Sequence, residues 1–240
     1  MNPTKITAPL VFDGEGRDFV LDGFDFTVKG YVKVLNANSV VIRNCRVYDL
    51  DVSASQKNYW FFMSCSHPVR VRIENCFFGD NPIGANKVYN LIEPHAELQN
   101  NSAVNENYFA DECCAHNAVN LYGAEENAYL SVSDNVFEVS AGTVRIGVQG
   151  EPVCEVDISR NKVLANNPNY GPEDAGLVTV QPYGKQTTTF KNMTVRMDGN
   201  SCPSEQLIYG YYGSQDTALT NDNMPLIQVD GVAITAPIYH

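Results

Sequence analysis

Eight times along this chain a short segment repeats with an apolar residue at its first position, asparagine or a small or apolar residue at its fourth, and an apolar residue at its sixth. The copies are Leu21 to Phe26, Ile42 to Val47, Ile73 to Phe78, Val104 to Phe109, Val132 to Phe137, Ile158 to Val163, Met197 to Cys202 and Val229 to Ile234. Their fourth positions are Phe24, Cys45, Cys76, Asn107, Asn135, Asn161, Asn200 and Val232, separated by about 21, 31, 31, 28, 26, 39 and 32 residues. Spacing this uneven excludes a rigid helical repeat and describes a coil whose loops vary while its strands stay in column.

A second column of short strand-like runs precedes most copies: Tyr59 to Met63, Val88 to Ile92, Ala118 to Tyr122, Thr143 to Val148, Leu177 to Val180 and Leu207 to Tyr212. These runs are rich in aromatic and β-branched residues and are bounded by Gly, Asn, Asp and Pro. Helical periodicity is absent over any long window. The reading is two strands per coil in a chain that turns corners and does not reverse in hairpins, which is an all-β parallel β-helix of about eight coils. Residues 1–240 form one domain, with 1–18 as an N-terminal cap or arm, 19–236 as the coils and 237–240 as a tail.

Parallel coils stack about 4.8 Å apart, so equivalent side chains lie above one another. Inward amides of Asn107, Asn135, Asn161 and Asn200 can then donate and accept along the stack, satisfying groups that are otherwise buried unpaired. Cys45 and Cys76 continue the column as stacked small thiols packed like apolar residues. The column speaks to fold and has no catalytic meaning.

Coils of this V-x-I-x-N-N-x-F kind resemble the right-handed parallel β-helix superfamily called pectin-lyase-like, which includes pectate and pectin lyases, polygalacturonases, the chondroitinase B and alginate lyase family, and phage tailspikes. The resemblance covers about residues 19–236 and implies a right-handed coil. Its motif is structural, so it carries a fold and not an activity. Eight coils give a rod of about 40 Å, short for the family's secreted enzymes.

The formal charge of −12, from 28 acidic and 16 basic residues, repels nucleic acid and the anionic polymers that the family's lyases handle. The densest basic stretch, Arg43, Arg46, Arg70 and Arg72, reads as a solvated face. The opening Met-Asn-Pro-Thr-Lys leads into no apolar segment of signal-peptide length and no run approaches a membrane span, so residence or assembly in the cytoplasm is expected. Seven cysteines without CxxC spacing read as free thiols; adjacent Cys113 and Cys114 are the pair placed to cross-link an assembly.

The catalytic strings that the resemblance implies are missing. A polygalacturonase needs clustered aspartates, Gly-His-Gly and Arg-Ile-Lys, of which only Arg145-Ile146-Gly147 is approached. A lyase of the pectate kind needs a basic residue as base and carboxylates for Ca²⁺. The segments Glu74 to Asp80 and Thr143 to Gly147 are loosely similar to the chondroitinase B and alginate lyase family, yet no base Lys followed by an acid Arg stands on neighbouring coils. The cluster left for an enzyme is Asp111, Glu112 and His116, with Glu125 and Glu126 in the next loop and Arg145 beyond. His67, His95 and His240 lack ligand spacing, and no metal or cofactor is expected.

Aromatic runs suggest contact surfaces instead. Tyr59 to Phe62, including Trp60, and Ile208 to Tyr212, including Tyr209, Tyr211 and Tyr212, must turn about half their members away from a strand's core face. The longest insertions, Leu164 to Asn192 with Tyr170 and Tyr183, and Pro203 to Pro225, place any interface in the C-terminal half. The expectation is a non-enzymatic phage structural protein: a capsid decoration or other virion surface protein, assembled in the host cytoplasm as a homo-oligomer, trimeric by analogy, with other capsid proteins and surface glycans as partners. It involves neither nucleic acid nor membrane. The alternatives are a polysaccharide lyase or hydrolase and a carbohydrate-binding module.

Overall fold

Every described element is a strand, and the strands fall into three sheets that the chain visits in rotation. The computed structural model describes residues 2–26, 32–48, 59–63, 70–79, 88–94, 102–110, 114–122, 128–140, 144–148, 154–166, 177–182, 192–203, 208–209 and 226–234. Sheet I stacks Thr4–Ile6, Phe24–Phe26, Arg46–Tyr48, Phe77–Gly79, Tyr108–Phe109, Val136–Ser140 and Lys162–Asn166. Sheet II stacks Leu10–Asp13, Val32–Leu35, Tyr59–Met63, Val88–Pro94, Cys114–Tyr122, Val144–Val148, Val178–Pro182 and Ile208–Tyr209. Sheet III runs Asp18–Asp22, Ser39–Arg43, Arg70–Glu74, Ser102–Asn105, Ala128–Ser133, Cys154–Ser159, Met193–Met197 and Leu226–Val229, and ends in Val232–Ile234. All pairings are parallel except the last.

Each turn therefore has three strands where the sequence suggested two. The repeated six-residue segment is a corner: its first two residues close a strand of sheet III and its last residues open one of sheet I. Thr4–Ile6 and Leu10–Asp13, within the stretch read as a cap or arm, head sheets I and II.

Alternation explains the core. In Asp18–Asp22 the residues are exposed and buried in turn, and Met193–Met197 buries its first, third and fifth members. The first position of the repeat, from Leu21 through Ile42, Ile73, Val104, Val132 and Ile158 to Met197, is buried throughout. The sixth position buries Phe26, Val47, Phe78, Phe109, Phe137 and Val163. Phe78, Phe109 and Phe137 stack nearly parallel, with centroids 4.9 and 4.8 Å apart, one ring per turn. Burying each such ring contributes on the order of 2–3 kcal/mol.

The corner is made by the third position, which takes the left-handed conformation in turn after turn: Gly23 (φ 76), Asn44 (54), Asn75 (50), Glu106 (59), Asp134 (59), Arg160 (55) and Gly199 (64). A non-glycine residue there costs about 1 kcal/mol or more. It is offset by a bond to the next turn: from Gly23 to Arg160 each of these backbone N–H groups donates to a carbonyl, as Asn44 to Glu74 at 3.2 Å, Glu106 to Ser133 at 3.0 Å and Arg160 to Asp198 at 2.8 Å, and Gly199 donates to the Asp230 carboxylate at 2.7 Å.

The eighth copy departs from the pattern. Asp230 (φ 48) and Gly231 (φ 77) both take positive φ, and Val229 pairs antiparallel with Val232, so this segment is a two-residue hairpin and not a corner. Sheet I has already given way, after Lys162–Asn166, to a single bridge between Lys162 and Ser201.

Candidate functional site

Behind the corner runs a column of buried amides. Asn107 Nδ2 donates to Asn135 Oδ1 at 3.0 Å, Asn135 Nδ2 to Asn161 Oδ1 at 2.9 Å, and Asn161 Nδ2 to Asn200 Oδ1 at 3.1 Å. Each acceptor oxygen also takes the backbone N–H of the preceding asparagine, at 2.9, 3.1 and 2.9 Å. The second hydrogen of each amide goes back to a first-position carbonyl of the turn before: Asn107 to Ile73 at 3.0 Å, Asn135 to Val104 at 2.8 Å, Asn161 to Val132 at 2.8 Å and Asn200 to Ile158 at 2.6 Å. Amides are the residue type that supplies two donors and a shared acceptor from one planar group, so the column leaves no polar atom of these side chains unpaired.

Cys45 and Cys76 occupy the same column two turns further toward the N-terminus, and both are buried free thiols. Cys76 Sγ lies 3.8 Å from Ile42 O, the carbonyl that an asparagine amide would reach, and Cys45 Sγ lies 3.9 Å from Leu21 O. Cys76 N donates to Asn107 Oδ1 at 2.9 Å, which joins the thiols to the amide column. Interaction with the neighbouring Cys76 thiol lowers the pKa of Cys45, and interaction with Cys45, together with burial, raises that of Cys76.

The outer faces carry polar groups laced from turn to turn. On sheet III, Arg43 pairs with Asp22 at 2.8 Å and Arg196 with Glu155 at 2.8 Å across turns, while Arg72 pairs with Glu74 within its own strand. At the corner, Arg160 grips both Asp134 oxygens at 2.8 and 2.7 Å. These guanidinium hydrogen bonds hold the Asp134 and Glu155 carboxyls below the usual range, while Asp22 is lowered first by Asn44 and then by Arg43. Tyr129 donates its hydroxyl to Asp157 at 3.1 Å; burial and then the Asp157 charge push its ionisation up. Asn105 Oδ1 accepts from the hydroxyls of Ser131 at 3.3 Å and Ser133 at 2.9 Å, and Ser159 donates to Asp157. Although they stand on the outward rows of sheet III, these three serines are buried.

Sheet I presents an aromatic and cationic strip. Phe77 and Tyr108 stack at 5.6 Å, Arg46 lies over the rings of Tyr48 and Phe77 at 4.9 and 5.5 Å, and Tyr108 donates to Glu138. The arginines read from sequence as one basic face thus divide: Arg43 and Arg72 are neutralised on sheet III, and Arg46 rests on aromatic faces of sheet I.

Of the residues singled out for an enzyme, His116 lies in Cys114–Tyr122 and Arg145 in the next strand of sheet II, where Asn120 and not His116 is its register partner. Asp111, Glu112, Glu125 and Glu126 lie outside the described residues. Trp60 and Tyr209 stand in the third and eighth strands of sheet II, about 24 Å apart along the stack, so no single described patch contains both. Tyr170, Tyr183, Tyr211, Tyr212, Cys113 and the tail lie outside the described residues. Among the described residues no three His, Cys, Asp or Glu side chains are grouped to hold a metal ion, and no helix is long and apolar enough to cross a membrane.

Sequence reasoning missed the sheet III cluster of Tyr129, Glu155, Asp157 and Arg196. Its signal was present: aligning the copies puts Ser131, Asp157 and Arg196 at one outward position and Tyr129, Glu155 and Thr194 at another. The chain matches no family model, no curated protein and no solved structure.

Proposed function

We propose that the chain is a single-domain right-handed parallel β-helix of pectin-lyase-like architecture, serving as a non-enzymatic structural protein on the surface of a phage particle, most of all a capsid decoration. The rotation of the chain through three parallel sheets supports the β-helix, and the general handedness of parallel crossovers supports its hand. The observation that carries the structural role is the use made of outward polar groups. On the described faces of sheets I and III, carboxylates and guanidinium groups are paired with one another or with hydroxyls, chiefly across neighbouring turns. Lacing of this kind stiffens a rod, whereas catalysis by paired carboxylates needs two of them facing one substrate bond. In this reading the protein assembles in the host cytoplasm with copies of itself and with capsid proteins, and its charge of −12 keeps it off the packaged nucleic acid. Peptide mass spectrometry of purified particles from the source tests it: the chain is expected in stoichiometric amount, and its absence from the particles overturns the role.

A carbohydrate-binding module is the second reading, favoured by Tyr129 beside Asp157 and the recessed Ser131, Ser133 and Ser159, a set of donors and acceptors suited to sugar hydroxyls. Calorimetric titration with neutral and acidic glycans tests it, with binding lost in Tyr129→Ala; no heat with any glycan removes this reading.

A further inference from the structure

In the column of fourth positions two cysteines follow one another, Cys45 and Cys76, between Phe24 and the first amide at Asn107, and that pairing distinguishes them from Cys202, which lies elsewhere in the corner and is half-buried. Arg46 is the register partner of Phe77, and Phe77 N donates to Cys45 O at 3.0 Å, so the two cysteines stand side by side on successive turns. Their side chains point the same way. Cys45 Sγ lies 3.2 Å from Arg43 O and Cys76 Sγ 3.3 Å from Glu74 O, the equivalent carbonyls of the two turns. On the outer side of the same corners Asn75 Nδ2 donates to Asn44 Oδ1 at 2.7 Å, which fixes the register of the two turns. Neighbouring parallel strands lie about 4.8 Å apart, inside the Cα separation a disulfide accepts; the Cβ atoms need to close by only about 1 Å.

We propose that Cys45 and Cys76 are a latent cross-turn disulfide, closed by a peroxide-class oxidant and reopened by thiols. Hydrogen peroxide is small and neutral enough to enter through fluctuations of a packed interior. The Cys45 sulfur attacks one peroxide oxygen, the O–O bond breaks, and Cys45 becomes a sulfenic acid as water leaves. The Cys76 sulfur then displaces hydroxyl from the Cys45 sulfur, a second water leaves with the Cys76 proton, and the S–S bond forms. Two thiols and one peroxide give one disulfide and two waters, with the two electrons lost by sulfur gained by the peroxide oxygens. The bond would close a loop of 31 residues, by subtraction of the two positions, and tie the second turn to the third. This inference does not depend on the role proposed above.

The full-length reduced chain is exposed to hydrogen peroxide, its remaining thiols are alkylated under denaturing conditions, and it is digested with trypsin without reduction. The expected product joins Asn44–Arg46 to Ile73–Lys87, lighter than the two free peptides by two hydrogen atoms and separated again by dithiothreitol. Oxidation should also raise the thermal midpoint by about 5 °C, reversibly. Cys202 reports whether oxidant has acted. The proposal is overturned if Cys202 is oxidised while Cys45 and Cys76 are recovered alkylated, or if they are recovered as separate sulfinic or sulfonic acids. Cys45→Ser should lose both the linked peptide and the peroxide-dependent stabilisation; should that variant not fold, the peptide map of the unaltered chain still decides.

Discussion

Asn135 gives both its backbone N–H and its side-chain amide to one oxygen of Asn161, at 3.1 and 2.9 Å. Because Asn135 in turn serves Asn107 and the Val104 carbonyl, replacing it strands polar groups on both sides. Asn135→Leu is expected to destabilise by about 3–5 kcal/mol, the sum of two or three buried unpaired groups. Asn200 sits at the end of the column and is half-exposed, so Asn200→Leu is expected to lose only about 1–2 kcal/mol. Urea midpoints at unchanged slope check the ranking, and equal losses at the two positions would show that the column is not cooperative.

The corner makes a second, opposite prediction. Glu106 is exposed with φ 59, so Glu106→Gly relieves backbone strain while adding freedom to the unfolded chain; the net expectation is a gain of about 0.5 kcal/mol. At Gly199 a Cβ would meet only Arg160 Cγ, at an ordinary 3.5 Å, so Gly199→Ala is opposed by its φ of 64 and not by space. Its expected loss is about 1–2 kcal/mol. Guanidinium denaturation of both variants decides the matter, and a Glu106→Gly protein weaker than the parent would refute the strain argument.

What could be read from the sequence follows from which interactions are periodic. The column of first, fourth and sixth positions was legible because every turn must present the same residue types to the same place, as Ile73, Cys76 and Phe78 do above Ile42, Cys45 and Val47. The third strand of each turn was hidden inside the motif, since a bend after two residues leaves sheet I strands too short, as in Tyr108–Phe109, to show an alternation of their own. The final hairpin was misread because Val229 to Ile234 fits the column, although Asp230-Gly231 is also the commonest signal for a reversing turn. Partners such as Arg196 and Glu155, 41 residues apart, depend on the register between turns, which intervening loops of unequal length conceal.

Packing across the first two turns supplies a third test. Gly14 is buried, and a Cβ built on it would stand 2.6 Å from Ala37 Cα and 2.9 Å from Ala37 Cβ. Backbone cannot yield as a side chain can, so Gly14→Ala is expected to destabilise by about 2–3 kcal/mol. Ala37→Gly removes one of the two clashing atoms. The double variant should recover part of the loss, and a double-mutant cycle with no coupling would mean that the two turns do not touch there.

Acid should weaken the corner through Asp134. Its carboxylate is held below the ordinary value of 3.8 chiefly by the hydrogen bonds from Arg160, with a smaller contribution from charge. A folded-state pKa below the unfolded one means that the stabilisation is complete above the unfolded value and is lost as pH falls through the folded value. The contribution should therefore be constant from neutral pH down to about pH 5 and disappear well below pH 3.8. Arg160→Gln removes the donor, so the Asp134 pKa should return toward its ordinary value, as read by carboxyl-carbon NMR, and the variant should be less stable than the parent at pH 7. Urea midpoints of parent and variant should converge as pH approaches about 2, where Asp134 is protonated in both. A difference that stays the same size at that pH would mean that Arg160 acts through the packing of its stem and not through the charge of Asp134.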